Sequence, residues 1–558
     1  MILGLDVGGT QTDAVLLDRG GVLIETKTPT SDDLIETIRS AISKTTGGFP
    51  SEEIERMAFS TTMATNAIVQ DRLDEAGMIV SAGPGMNPEW FSVGPAFRVV
   101  GGCLDHQGFE AAPLDKEAVR RAAEDIQSKG IPDVGIVGKF SVRNPVHELQ
   151  ISGWVRTGFS HLALGHQVSG SLNFPRRIAT TYLNAALHRV HEQFIGSLRV
   201  ILDEEGLRSP RYLLKPDGGT MDLNYTLHSP AGMAQSGPAA SVMGALALDG
   251  CRGTSLVLDI GGTTTDMTVV LDGVPLLEPR GIRLGLYQTL IRSLLTHSIG
   301  VGGDSEVRRG TGGELRVGPA RKGPPVALGG TVPTPTDAMI TLNLLRVGSR
   351  EAATDAMKSL GSSRKQEPES TARAILETMA DTIADSARAF LNHINSRPVY
   401  TIHEVLQEQE IIPDAVVVIG GPAHQIAPFV GRALGLPFRI PDHSGVANAI
   451  GAAVARVTTE ITLQADTQRG ALVIPEAGVD RKIPFRFNVE EAMSLAREAL
   501  REQARKIGAG QGPLEISVTE RQVFNMVRGF SRVGQNIRLR LSITPGIIKG
   551  WTCPGEAV

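Results

Sequence analysis

The chain opens on alternating blocks of apolar, β-branched residues and short polar breaks, a pattern that predicts strands before helices. Ile2 to Leu5 and Ala14 to Leu17 flank Asp6-Val-Gly-Gly-Thr-Gln-Thr-Asp13, which predicts a hairpin with a glycine-threonine tip. A third strand is expected over Val22 to Thr26. A helix capped by Ser31 should follow, because apolar residues fall at 34, 35, 38 and 42.

The same pattern returns at Leu256 to Leu258 and Met267 to Val270, around Asp259-Ile-Gly-Gly-Thr-Thr-Thr-Asp266, with Val274 to Leu277 as third strand. Between the copies, Leu162 to Leu164 and Leu213 to Leu214 read as short strands and Arg176 to Ile195 as a helix. Gly300 to Thr336 is rich in glycine and proline, and so long an irregular stretch inside a compact domain points to function. A polar loop, Gly361 to Ser370, precedes a long helix over Thr371 to Asn392. Ala415 to Ile419 is a buried strand entering the turn Gly420-Gly421-Pro422, with a helix over Gln425 to Leu434; ligands sit at such strand ends in open α/β sheets. The last part reads as a small α/β unit with a strand at Ile483 to Phe487 and a helix capped by Asn488 and Glu491.

One Asp-x-Gly-Gly-Thr segment could be an ordinary hairpin turn, but two with the same flanks indicate a duplicated unit. Glycines let backbone N–H groups approach an anion, and threonine hydroxyls add donors toward phosphoryl oxygens. A carboxylate facing a polyphosphate would be repelled, so the leading Asp6 and Asp259 imply Mg²⁺, held through its retained waters. Strand-strand-strand-helix, with an aspartate ending the first strand, is the opening of a ribonuclease-H-like half. The expected fold class is α/β, with two such halves, an inserted α/β subdomain and a small C-terminal α/β unit. The expected boundaries are 1–170, 171–455 (nucleotide-binding) and 456–558.

At 558 residues the chain exceeds what one core holds. A net charge of -5, without a lysine or arginine run, argues against nucleic acid as a partner. No apolar run approaches the ~20 residues that span a bilayer, and no charged leader precedes the first strand, so a cytoplasmic protein without membrane contact is expected. Cys103, Cys251 and Cys553 lie far apart and form no C-x-x-C, which argues against a disulfide framework or a metal cluster.

The duplicated hairpin segment followed by Val417-Val-Ile-Gly-Gly421 is similar to the signature of the actin-like ATPase superfamily. Within it the chain resembles the hydantoinase A / 5-oxoprolinase family over about residues 1–455. Asp6 to Asp13 resembles that family's opening, Ser60-Thr-Thr-Met-Ala-Thr-Asn-Ala67 its H-G-T-T-x-A-T-N-A, and Asn144-Pro-Val-His-Glu148 its N-P-x-H-E. Gly165-His-Gln-Val-Ser169 is similar to S-H-E-V-S, Thr180 to Ala185 to T-T-x-L-N-A, and Pro216 to Gly219 to S-D-G-G. Ser236 to Ala240, His297 to Gly303, Pro333 to Ala338 and Val418 to Ala423 complete the series in order.

The resemblance implies ATP-dependent phosphorylation of a carbonyl oxygen, in a cyclic amide of the hydantoin, 5-oxoproline or lactam type or in a related carbonyl compound, for ring opening or carboxylation. Phosphorylation removes amide resonance and creates a leaving group, and catalysis is then mostly positioning and charge neutralisation. The implied cofactors are ATP and Mg²⁺, and the implied partner is a B-type subunit in a homo- or hetero-oligomer. Backbone around Gly8, Gly9 and Thr10 and around Gly261, Gly262 and Thr263, with the hydroxyls of Thr10, Thr12, Thr263 and Thr264, would clasp the phosphates. Asp6 and Asp259 would hold Mg²⁺ through water, or one would orient the nucleophile. Gly302 and Gly303 would face phosphate, and Gly420 and Gly421 would admit the adenosine. Thr61, Thr62, Asn66, Asn144, His147 and His166 are the substrate-side candidates, with a core or capping role open for His147 and a turn role for Asn144.

Three departures bear on the substrate: Phe59-Ser60 replace a His-Gly, Gln167 replaces a glutamate, and Ala327-Leu328 precede Gly329-Gly330 without the family's cysteine. The chain also reads as shorter than the family at its C-terminal end, with no B component of its own. Two other readings stay open: a small-molecule kinase of the same fold, and an ATP-driven reactivator of a partner enzyme.

Overall fold

The apolar repeats fold into two mixed sheets of one design in a computed structural model that describes residues 1–19, 21–31, 33–362, 365–396 and 410–551. In the first, Ile2–Val7 runs antiparallel to Gln11–Asp18, which pairs with Gly21–Pro29, and parallel to Arg56–Thr61. Arg211–Leu214, from beyond residue 170, continues parallel, and Thr220–Asp222 closes the edge. In the second, Thr254–Ile260 lies between antiparallel Thr265–Leu271 and parallel Ala415–Ile419, with Val274–Pro275 and Phe438–Arg439 outermost. The aspartate-bearing hairpin therefore leaves the same corner of both sheets.

Two helices join the sheets. Ser236–Asp249 and Ala447–Val454 are buried almost all round, as helices without a polar face must be. They meet at Gly244 and Gly451, where an added Cβ would fall 2.0 Å from Ala447 O and 2.1 Å from Ala240 O. Val15 and Leu214 of the first sheet, Val257 and Val417 of the second, and both helices share one core.

An inserted four-stranded parallel sheet, in the order His161–Leu164, Asp133–Gly138, Ala76–Ser81 and Ala96–Val100, packs on the long helix Phe174–Glu204. The C-terminal unit is a five-stranded antiparallel sheet backed by Val489–Lys506, whose Asn488–Glu491 capping box is formed as expected. The helix expected over Thr371 to Asn392 spans Pro368–Asn395.

Two expectations are corrected. The helix Leu34–Thr46 is capped by Asp33, whose Oδ1 accepts from the N–H groups of Ile35 and Glu36; the Ser31 hydroxyl bonds Thr37 instead. Ile483 to Phe487 is not a strand: the strand is Val479–Lys482, and Pro484, which has no N–H for a ladder, turns the chain so that Phe487 N–H donates to Pro484 O. Cys251 is buried and Cys103 half-buried, while Cys553 and part of the Gly361 to Ser370 loop lie outside the described residues. Among the described residues no helix is long and apolar enough to cross a membrane.

Candidate functional site

The two hairpin tips are built alike. Gly8 N–H donates to Gln11 O at 3.1 Å and Gly261 N–H to Thr264 O at 2.9 Å, which closes each turn. Beyond the turn, Gly9, Thr10, Gly262 and Thr263 are exposed, and their N–H groups make no bond within the described protein. Thr12 and its counterpart Thr265 are buried anchors: Thr12 Oγ1 lies 3.1 Å from Thr30 Oγ1, and Thr265 Oγ1 donates to Val301 O at 2.6 Å. Thr264 is half-buried beside the second tip.

The 300–305 loop supports that tip from behind. Gly302 N–H donates to Ser305 Oγ at 2.8 Å and Gly303 N–H to Gly261 O at 2.9 Å, so both donors are committed inside the protein rather than offered to a phosphate. Gly420, with φ +99°, is also committed, because a Cβ there would fall 2.3 Å from Ile260 O; Gly421 has open space. His297 turns away, bonding Ser386 at 3.0 Å. Arg321, 3.5 Å from Thr263 Oγ1 and paired with Asp304 at 3.2 Å, brings a cation to the second tip that sequence reasoning missed.

Strand register places Asp6 opposite Asp13 and Asp259 opposite Asp266. Like charges directly across a ladder are destabilising, so these pairs call for a function. Burial, opposed by hydrogen bonds from Ser60 and Asn448 and reinforced by Asp13 and Asp259, pushes Asp6 up to about 6. Burial and Asp259 push Asp266 up to about 6 as well. Asp13 and Asp259 are raised by burial too, with Lys27 opposing in both. Asn448, on the helix Ala447–Val454, donates to Asp6 Oδ2 at 3.4 Å and lowers the pKa of Asp259 as well, so one side chain acts on both hairpins. Ser241 donates to Asp259 from the other central helix. Asp13, Asp266, Asn448 and Ser241 were missed as site residues; the motif's closing aspartate, opposite its leading one in any hairpin with this tip, was the available signal.

A divalent cation fits this donor set. Carboxylates cluster with Lys27 as counter-charge, and Asp6 Oδ1 is buried without a hydrogen-bond partner. Among the described residues no three His, Cys, Asp or Glu side chains converge to hold a metal ion directly.

A cavity of about 600 Å³ lies beside the hairpins, reaching from Asp266 and Ser298 on the second sheet to Thr62 and Gln235, with Arg283 and Leu294 in its wall. Thr62 is thus brought to the site, and exposed Asn66 bonds it at 3.3 Å. Thr61 is buried, its backbone tied to Ser236 Oγ. Asn144, His147 and His166 lie in the inserted unit, outside the cavity lining. Asn144 holds a turn, donating to Gly108 O at 2.9 Å and accepting from Val146 N–H at 3.1 Å. His147 bonds Glu110 at 2.9 Å, and His166 bonds buried Glu148 at 2.6 Å.

The profile of the hydantoinase/oxoprolinase N-terminal region matches residues 2–158, and that of hydantoinase/oxoprolinase matches residues 177–461. The chain is 26% identical over 463 residues to caprolactamase subunit alpha of Pseudomonas jessenii, covering 75% of this chain and 64% of that one. It is 27% identical over 401 residues to the acetophenone carboxylase gamma subunit of Aromatoleum aromaticum, covering 62% of this chain and 53% of the relative. It therefore spans less than two thirds of either. The solved ATP-dependent caprolactamase from Pseudomonas jessenii shares the fold, with a TM-score of 0.72 at 20% identity over 100% of this chain and 89% of that one. With one profile matching more than half of its length and the other the N-terminal part, the chain belongs to the hydantoinase/oxoprolinase family.

Proposed function

We propose that this protein is the nucleotide-binding component of an ATP-dependent enzyme that phosphorylates the carbonyl oxygen of a cyclic amide or related carbonyl compound. The observation that carries the reading is the pair of like-built glycine-threonine hairpins whose four carboxylates are gathered in buried surroundings that Lys27 offsets only in part and that a bound cation would relieve. The common strand order supports treating the sheets as ribonuclease-H-like halves of an actin-like ATPase, with residues 174–222 assigned to the first half.

In this reading the N–H groups of Gly9, Thr10, Gly262 and Thr263 bind the β- and γ-phosphates, and Arg321 adds charge at the second tip. Asp6 and Asp259 hold hydrated Mg²⁺, which when bound neutralises the phosphate oxygens. Asn448 and Ser241 fix those carboxylates from the central helices, and Gly421 leaves room for the adenosine. The substrate carbonyl approaches through the cavity at Thr62 and Asp266. A B-type subunit would receive the activated product in an oligomer, and a cytoplasmic setting suits the use of ATP.

Phosphate release from Mg·ATP, measured alone and with 5-oxoproline, hydantoins, lactams and simple ketones, tests the reading. Stimulation by one carbonyl class is expected. An enzyme that binds no Mg·ATP, or that leaves a stable alcohol phosphate, would refute it.

A further inference from the structure

We propose that Gln235 recognises the substrate's amide, its carboxamide selecting a cis-amide ring over a ketone of the same shape; this rests on the carbonyl-activation reading above. Gln235 stands at the cavity wall directly before the helix Ser236–Asp249. Its backbone is left-handed, at φ 60° and ψ 34°, a conformation glycine adopts without strain and glutamine does not. The Thr65 hydroxyl holds it there by accepting the Gln235 N–H at 2.7 Å. Strained backbone that the surroundings hold in place is characteristic of ligand sites.

The side chain so placed makes no hydrogen bond within the described protein, although a half-buried carboxamide has donors and an acceptor to satisfy. A lactam or hydantoin ring shows its C=O and N–H side by side on one edge. A carboxamide meets that edge with two bonds, accepting from the ring N–H and donating to the ring carbonyl. A ketone can only accept, and an open-chain trans amide points its two groups in opposite directions. Leu294 and Ile282 give apolar wall for ring methylenes. The neighbouring Arg176 does not compete for the carbonyl, because it donates to Gln288 Oε1 at 3.1 Å and Thr289 O at 3.1 Å.

The test is calorimetric titration of the purified protein with 2-pyrrolidinone, cyclopentanone and N-methylacetamide, with and without Mg²⁺ and a non-hydrolysable ATP analogue. The lactam is expected to bind at least ~10-fold more tightly than the ketone, about one net hydrogen bond's worth. Gln235→Leu and Gln235→Gly should both bring the lactam down to the ketone's affinity. Glycine suits the left-handed backbone, so that variant stays folded while losing the amide. Equal affinities in the wild type, no binding of either ring, or a lactam preference surviving in both variants would overturn the assignment. Absence of nucleotide-analogue binding would count against the phosphoryl-transfer reading alone, since the ring preference is read without nucleotide too.

Discussion

Replacing Asp6 by asparagine removes a charge while keeping the shape, and the geometry predicts a more stable apoprotein that has lost its cation. Asp6 is raised from 3.8 to about 6 in the folded protein. A carboxyl whose folded pKa exceeds its unfolded one destabilises the fold when ionised, so the cost is absent below about pH 3.8 and complete above about pH 6. That difference is worth about 3 kcal/mol at pH 8 and about 1 kcal/mol at pH 4.5. Urea unfolding of wild type and Asp6→Asn in the presence of chelator, at both pH values, reads it directly. The variant's midpoint should lie above the wild type's at pH 8, and the gap should shrink at pH 4.5. Adding Mg·ATP should raise the wild-type midpoint and leave the variant where it was. A variant less stable at pH 8, or one gaining equally at both pH values, would show that the carboxylate cluster is not the strained, cation-seeking site described above.

Asp259→Asn should abolish Mg·ATP turnover with circular dichroism and elution volume unchanged; wild-type turnover would remove Asp259 from the site. Gly244→Ala puts a methyl 2.0 Å from Ala447 O, where the facing helix cannot yield, and overpacking of this kind costs about 1–3 kcal/mol. The expected readout is a lower melting temperature together with weaker nucleotide binding, because the same helices carry Ser241 and Asn448. Glu148→Ala leaves the buried N–H groups of Gly138 and His166 without the carboxylate that accepts from them, a loss of about 1–3 kcal/mol for each donor left unpaired, read by thermal unfolding. Burial opposes ionisation of Glu148, but His166 and Arg177 outweigh it and hold its carboxyl below the usual range. Its contribution should therefore be intact at neutral pH and fade as the wild type is acidified through the carboxylate range.

The sequence by itself determined the hairpins, their duplication and which residues form their tips, because these depend on neighbours along the chain. Apolar β-branched flanks make strands, Gly-Gly-Thr makes a tip, and a period-two register sets Asp6 against Asp13 without any distant contact. Helix starts were legible where the cap was unambiguous, as at Asn488, and misread by two residues where Ser31 and Asp33 competed. What only the tertiary structure decided is what lies across the cleft. Asn448 reaches Asp6 from 442 positions away, and Thr65 fixes Gln235 from 170 positions away. Gly303 spends its N–H on Gly261 O rather than on a ligand, although its glycine-rich context reads as phosphate-binding. His147 and His166 read as substrate-side candidates in their motifs, yet they bond Glu110 and Glu148 in the inserted unit. A motif names the groups that could do chemistry; which of them still have a free donor or acceptor depends on contacts between segments far apart in sequence, and those are settled only when the two sheets close on their shared helices.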